Sequence, residues 1–377
     1  MKPLQVTLLA LLAILLLGVV DYATGPLFSL TLFYLFPVAA VAWYAGRRAG
    51  AAIGFLCVGV WFLADLESLG TRDPLWIDLW NGVIRLVFFL LLTELLTVIR
   101  QGLEREMAAA REIQTALLPV STPQIAGVEI GVRFWPARNV SGDYYDVISE
   151  NGGGQFLICI GDVAGKGAGA ALLMASVQGS VRALAKDDCP LDEMCSHLNR
   201  LLVRAVPLGR FVTFCIARVE IDTGRVTYVN AGHNPPIMLR ADGEHEQLMS
   251  TGLVLGVLPE AEYVEATAFI EPGSRLVLFT DGVIEAIDRE GQQFGRERLE
   301  RLLASCRADS PTGLAERILE ETRAFEHGHP QDDTTVVVVG LTGKGEARPG
   351  RAEERAGPPP EYQPGISQPA AQDPPRG

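Results

Sequence analysis

Apolar residues crowd the first part of the chain as long uncharged runs, then give way to short alternating runs bounded by glycine and aspartate. Leu4–Val20, Tyr22–Gly46 and Ala49–Ala64 contain no charge, and a less clean stretch runs from about Trp76 to Ile99. At about 20 residues per hydrocarbon crossing this pattern predicts four membrane helices, two of them short or interrupted. Lys2 ahead of the first run would suit a signal peptide, but no small-x-small cleavage site follows Val20 and further apolar runs begin at once. Lys2, Arg47, Arg48, Arg100, Arg105 and Arg111 lie on one side of the spans, whereas Asp21, Asp65, Glu67 and Asp73 face only Arg72 on the other. The positive-inside rule then places both termini in the cytoplasm.

A connecting helix is expected over about Glu94–Leu118. Leu96, Ile99, Leu103, Ala110, Ile113 and Leu117 fit the a and d positions of one heptad frame, interrupted by Glu106 and stopped by Pro119. Two readings fit, a parallel coiled coil and a single amphipathic helix lying on its own domain. Beyond it, Gln155–Ile160, Phe211–Ile221, Arg225–Asn230, Arg275–Thr280 and Thr334–Gly340 read as strands. Helical runs are expected over Ala168–Ala185, Leu191–Val206 and about Pro311–Phe325. A hairpin at Asp222-Thr223-Gly224 implies antiparallel sheet, so the class is α+β. Residues 1–99 are thus read as a transmembrane region, 100–119 as a linker helix, 120–341 as a cytoplasmic domain and 342–377 as a disordered Pro/Gly-rich tail.

Hydrophobic residues make up 48% of the chain, with six cysteines and a net charge of −13. The acidic balance argues against nucleic acid as a partner. The cysteines form no CxxC pair and the histidines no HExxH, so zinc chemistry is not indicated. None of the cysteines sits in a Cys-x5-Arg loop, which excludes a thiolate nucleophile for phosphate, and all six are assigned to packing.

The chemistry lies in four aspartate motifs: Ser141-Gly142-Asp143, Gly161-Asp162-Val163, Thr280-Asp281-Gly282 and Asp332-Asp333-Thr334. Each stands at the edge of a strand-like run. Carboxylates brought within a few ångströms raise one another's pKa unless a cation neutralises them, and hard oxygen ligands suit Mg²⁺ or Mn²⁺. Paired hard metals held by aspartates serve phosphoester hydrolysis, in which an activated water attacks phosphorus in line.

Ser141-Gly142-Asp143-Tyr144-Tyr145-Asp146, Gly161-Asp162-Val163-Ala164-Gly165-Lys166-Gly167, Asn230-Ala231-Gly232-His233-Asn234-Pro235-Pro236, Thr280-Asp281-Gly282-Val283 and Asp332-Asp333-Thr334-Thr335 follow one another in a recognisable order. Together with the lead-in Arg111-Glu112-Ile113-Gln114 and Leu117-Leu118-Pro119, the segment from about 110 to 340 resembles the bacterial SpoIIE/RsbU-type members of the PPM group of metal-dependent protein serine/threonine phosphatases. The resemblance implies an αββα sandwich of two antiparallel sheets flanked by helices, binding two Mn²⁺ or Mg²⁺ ions. It implies that Asp162 bridges the two metals, with Asp143 and the backbone carbonyl of Val163 completing one site and Asp281 with Asp332 the other. Asp162 and Asp281 would then act through a metal-bound water, and Asp146 and Asp333 would support the ligands from behind or through water.

The chain departs from the eukaryotic branch at two places. Ala164 stands where that branch has a histidine thought to protonate the leaving group, so the proton donor is not identified. Arg138 lies near the expected phosphate-clamping arginine without matching its spacing. His233 is read as a structural turn residue, and Lys166 as either an anion contact or solvated surface.

The resemblance further implies a membrane-anchored phosphatase acting on a phosphorylated anti-sigma-factor antagonist or similar phosphoprotein. It would sit as a multi-pass protein of a bacterial inner membrane, its catalytic domain cytoplasmic and a homodimer formed through the linker helix. Two alternatives stand beside this reading: a non-catalytic sensor that sequesters a phosphorylated regulator through the same fold, and a hydrolase of small phosphoesters or nucleotides. The second lacks any P-loop or base-stacking signature.

Overall fold

The computed structural model describes residues 3–24, 30–67, 75–117, 119, 122–137, 140–150, 153–185, 189–205, 209–306, 308–327 and 330–342. Four helices come first: α1 (Pro3–Thr24), α2 (Thr31–Ala45), α3 (Arg47–Glu67) and α4 (Leu75–Leu117). Among the described residues, α1, α3 and α4 are long and apolar enough to cross a membrane. The second predicted span, α2, has 15 residues with Pro37 inside it. At 1.5 Å per residue it falls short of a 30 Å hydrocarbon layer. Val6, Ile14, Tyr34, Val41, Ile53 and Phe89 pack the four helices together, while Leu8, Leu12, Leu15, Phe36 and Phe88 point outward. Arg85 of α4 lies over the Trp61 ring, 3.5 Å from its centroid.

The connecting helix is not a separate element. α4 runs unbroken for 43 residues, about 65 Å at the helical rise, from an apolar first half into the charged segment after Arg100.

The rest of the described chain forms two five-stranded antiparallel sheets. One contains β1 (Val128–Trp135), β10 (Thr334–Leu341), β9 (Arg275–Phe279), β6 (Ile237–Leu239) and β7 (His245–Gln247), in that order. The other has β2 (Tyr144–Ser149), β3 (Gln155–Val163), β4 (Val212–Glu220), β5 (Arg225–Ala231) and β8 (Ala266–Phe269). The predicted hairpin at Asp222-Thr223-Gly224 joins β4 to β5.

Strand periodicity explains the layers. Along β10, Val337 and Val339 face the other sheet, whereas Val336 and Val338 face the outer helices. In β9, Leu276 and Leu278 likewise point inward, with Val277 and Phe279 outward. Such strands are apolar on both faces, so they read as continuous hydrophobic runs. Helices α8 (Gly295–Ser305) and α9 (Pro311–Phe325) cover the first sheet, α9 lying on β1 and β10. Helices α5 (Ala168–Leu184) and α6 (Leu191–Ala205) cover the second. The expected sandwich is present, and α5, α6 and α9 match their sequence-read spans to within a residue at each end.

Candidate metal centre

Topology brings the four aspartate motifs together. In antiparallel neighbours the end of one strand lies beside the start of the next. Phe279 pairs with Val336, so Asp281, after β9, faces Asp332 and Asp333, before β10. In the other sheet Tyr144 pairs with Gly161, which puts Asp143 beside Asp162. Gly142 and Gly282 are required by these approaches. A Cβ on Gly142 would lie 3.1 Å from the Val163 carbonyl oxygen and 3.3 Å from Asp162 Oδ1; one on Gly282 would lie 2.0 Å from the Asp333 carbonyl oxygen.

The two sheets are tied across the site. Asp143 Oδ2 accepts from Thr280 Oγ1 at 2.8 Å and from Thr335 Oγ1 at 2.5 Å. Asp333 accepts from the backbone amides of Ala137 at 2.7 Å and Gly142 at 2.9 Å. It therefore pins the Ser141-Gly142-Asp143 turn to β10. Neither threonine was singled out in the sequence, although each stands within a motif, one residue from an aspartate in one case and two in the other.

Electrostatics mark the cluster as short of positive charge. Burial, then repulsion from Asp281, Asp332 and Asp333, pushes Asp162 up to about 7, with Lys166 opposing. Asp281 rises to about 6 through burial and the charges of Asp332 and Glu285. Asp143 is held well above the usual carboxylate range by burial first and by Asp162 and Asp333 next. Burial raises Asp333 as well, against the amides that bind it.

Among the described residues no three carboxylates converge on a single point. Two hydroxyls hold Asp143, and Lys166 Nζ holds Asp332 Oδ2 at 2.8 Å while also donating to the Gln331 carbonyl. Lys166 thus supplies one positive charge to a cluster whose other members repel. The donor set fits a hard divalent ion: all oxygen, mutually repelling, and with pKa values that a cation would bring down.

Asp146 is placed elsewhere. Its carboxylate is fully buried and binds Arg182 of α5 through Nε at 2.7 Å and Nη2 at 3.1 Å. It anchors α5 to β2 rather than standing behind the cluster. Arg138 lies outside the described residues. His233 is buried, its amide donating to Asn230 Oδ1 at 2.8 Å and its Nδ1 lying 2.9 Å from Thr213 Oγ1. Burial lowers its pKa to about 4, so it is a neutral turn residue, as the sequence indicated. All six cysteines are free and five are buried.

One contact joins α4 to the site. The buried Gln114 side chain donates to the Ser141 carbonyl at 2.6 Å and accepts from the Ser141 amide at 2.9 Å. Gln178 of α5 donates in turn to the Leu117 carbonyl at the end of α4.

A family model described as Stage II sporulation protein E (SpoIIE) matches residues 152–342, just over half of the chain. Protein IcfG of Synechocystis sp. is 29% identical over 291 residues, covering 68% of this chain and 46% of that protein; the chain thus spans about half of that relative's length. The phosphoserine phosphatase RsbU of Bacillus subtilis is 29% identical over 242 residues, covering 64% of this chain and 71% of RsbU. Among solved structures, the SiaA-PP2C domain of Pseudomonas aeruginosa matches with a TM-score of 0.55 at 20% identity, over 64% of this chain and 97% of that domain, a likeness of fold.

Proposed function

The chain belongs to the SpoIIE family of PP2C-type phosphatases, and on that premise we propose that it is a membrane-anchored, metal-dependent protein serine/threonine phosphatase. The observation that carries the reading is the placement of Asp143, Asp162, Asp281 and Asp332 at neighbouring strand ends, with the Asp162 and Asp281 carboxylates pushed up to about 7 and about 6. Asp143, Asp162, the Val163 carbonyl, Asp281 and Asp332 are the groups that would hold two Mn²⁺ or Mg²⁺ ions. When bound, such ions supply a hydrolytic water at neutral pH and counter the charge that gathers on the phosphoryl oxygens.

The chain's own residues do the rest. Thr280 and Thr335 fix Asp143, and Asp333 fixes the turn that carries it. Ala164 offers the leaving alkoxide no proton, which favours slow turnover. Lys166, which holds Asp332, would have to release it for that carboxylate to bind a metal.

The substrate in this reading is a serine-phosphorylated regulatory protein, such as an anti-sigma-factor antagonist. RsbU, named a phosphoserine phosphatase, supports that class. The exposed Ile99, Leu103, Ile113 and Leu117 of α4 support pairing of two chains through that helix. The basic residues flanking the apolar helices support a cytoplasmic catalytic domain beneath a bacterial inner membrane.

The test is phosphate release from para-nitrophenyl phosphate by the full chain in detergent, with Mn²⁺, with chelator, and after Asp281→Asn. The expected result is turnover that requires metal and falls at least a hundredfold in the variant. Metal-independent turnover would overturn the metal-dependent reading, and no turnover from protein that binds Mn²⁺ would leave the fold as a binding module.

A further inference from the structure

Beside the acidic cluster the surface is apolar where a soluble protein is normally polar. Leu201, at the exposed side of α6, is 49% exposed, Phe211 37%, Val257 50% and Leu258 48%. These residues come from three segments that the backbone locks together. Asn199 of α6 accepts from the Gly256 amide at 2.8 Å and donates to the Leu258 carbonyl at 2.8 Å. Val212 and Leu255 exchange backbone hydrogen bonds at 2.9 and 2.8 Å. A Cβ on Gly256 would lie 3.4 Å from Leu202 and 3.9 Å from Phe211 Cα, so the 256–258 segment is wedged between α6 and the entry to β4.

The ledge is continuous with the site. The Ala164 amide donates to the Phe211 carbonyl at 2.9 Å, and Val163 pairs with Val212, so Phe211 stands next to the turn that follows Asp162. Arg210 lies at the inner edge. Its guanidinium fills the space over the glycines of that turn, where a Cβ on Gly169 would meet Nη1 at 2.3 Å and one on Gly165 would meet Nε at 3.9 Å. Among the described residues Arg210 has no carboxylate partner, in a chain of net charge −13. A rigid apolar shelf that opens onto a phosphate-directed site, with an unpaired guanidinium at the junction, complements an anionic polypeptide and gives a small phosphoester nothing to rest on.

We propose that Leu201, Phe211, Val257 and Leu258, with Arg210 at their inner edge, dock the polypeptide of a serine-phosphorylated protein substrate. The phosphoserine points toward the acidic cluster, apolar neighbours lie on the shelf, and Arg210 meets carbonyl or acidic oxygens beside the phosphoserine. This rests on the phosphatase reading above and adds the surface on which its protein substrate is held.

The experiment compares two probes on the full chain in detergent with Mn²⁺: para-nitrophenyl phosphate and serine-phosphorylated casein. The quantity read is the ratio of kcat/KM for casein to kcat/KM for the small ester. Val257→Asp and Leu258→Asp, both at exposed positions, should lower that ratio at least tenfold, and Arg210→Ala at least fivefold, with the loss in KM. Unfolding midpoints within a degree or two of wild type show that the variants fold. A ratio that holds steady in the two ledge variants overturns the proposal. So does wild-type protein that hydrolyses the small ester but not casein, an outcome that leaves the phosphatase reading standing. Wild-type protein that hydrolyses neither probe removes that reading and the docking proposal with it.

Discussion

Gln114, on the last turns of the long helix α4, closes its side-chain amide on both backbone groups of Ser141, two residues before Asp143. The pair acts like one rung of a β-ladder between a helix and a turn. Any rotation or sliding of α4 therefore breaks two hydrogen bonds or moves the turn that carries Asp143.

Gln114→Ala should leave the buried amide and carbonyl of Ser141 unpaired, at a cost of about 1–3 kcal/mol. The unfolding midpoint should drop by several degrees and metal-dependent hydrolysis should fall with it. Gln114→Glu keeps the acceptor and loses the donor, so it should lie between the two. Thermal unfolding and kcat measured on the same preparations check this, and activity that survives Gln114→Ala would sever the link from helix to site.

The acidic cluster sets a pH dependence whose sign is unusual for carboxylates. Asp162 and Asp281 titrate near 7 and near 6 in the folded chain, above the ordinary value of 3.8. Between about pH 4 and 7 the folded state therefore binds more protons than the unfolded state, and stability falls as pH rises through that window. At about 1.4 kcal/mol per pKa unit the loss amounts to several kcal/mol. With chelator present, the unfolding midpoint should be higher at pH 5 than at pH 8, and added Mn²⁺ should close the gap. In chelator at pH 8, Asp162→Asn should be more stable than the parent.

Arg182→Ala should show what Asp146 does. Removing the guanidinium leaves a fully buried carboxylate whose remaining donors, among the described residues, are Tyr144 Oη and the Val147 amide. Because Arg182 is itself half exposed, the cost should fall at the lower side of the range for broken buried pairs, about 2–3 kcal/mol. The loss should be equal with and without Mn²⁺. A deficit confined to the metal-loaded protein would put Asp146 back beside the metal centre.

Much of this was legible before the structure, for local reasons. The aspartates stand at strand edges next to Gly or Thr, and β9 and β10 are apolar on both faces, so motif and strand signals agree. Signals failed where the deciding partner is remote. β1 is an exception: Val128, Ile130, Val132 and Phe134 alternate with Glu129, Gly131 and Arg133, so its strand signal is local even though no strand is assigned there from the sequence. β2 buries a charge at Asp146 that only Arg182, far along the chain, makes tolerable, and so it reads as loop. The charged surface of α8 conceals Leu299 and Leu303, which fill the outer core. The apolar stretch to Ile99 and the connecting helix from Glu94 already overlap in the sequence, and the structure joins them in α4, whose composition changes at Arg100 while the backbone does not. Lys166 was ambiguous for the same reason: its partner Asp332 lies across the site.

That lysine gives the last prediction. Lys166 holds Asp332 and lowers the pKa of both Asp162 and Asp281, so it occupies electrostatically the place a divalent ion would take. Metal entry must break a 2.8 Å ion pair and then tolerate a like charge nearby. Lys166→Met removes both obstacles, and Mn²⁺ affinity measured by titration calorimetry should rise about three- to tenfold, equivalent to about 0.6–1.4 kcal/mol. The same substitution withdraws the cation that, among the described residues, offsets the cluster, so the chelated protein should unfold at lower temperature than the parent above pH 6. The two effects have opposite signs and one cause. Weaker Mn²⁺ binding in the variant would instead make Lys166 a support for the loaded site.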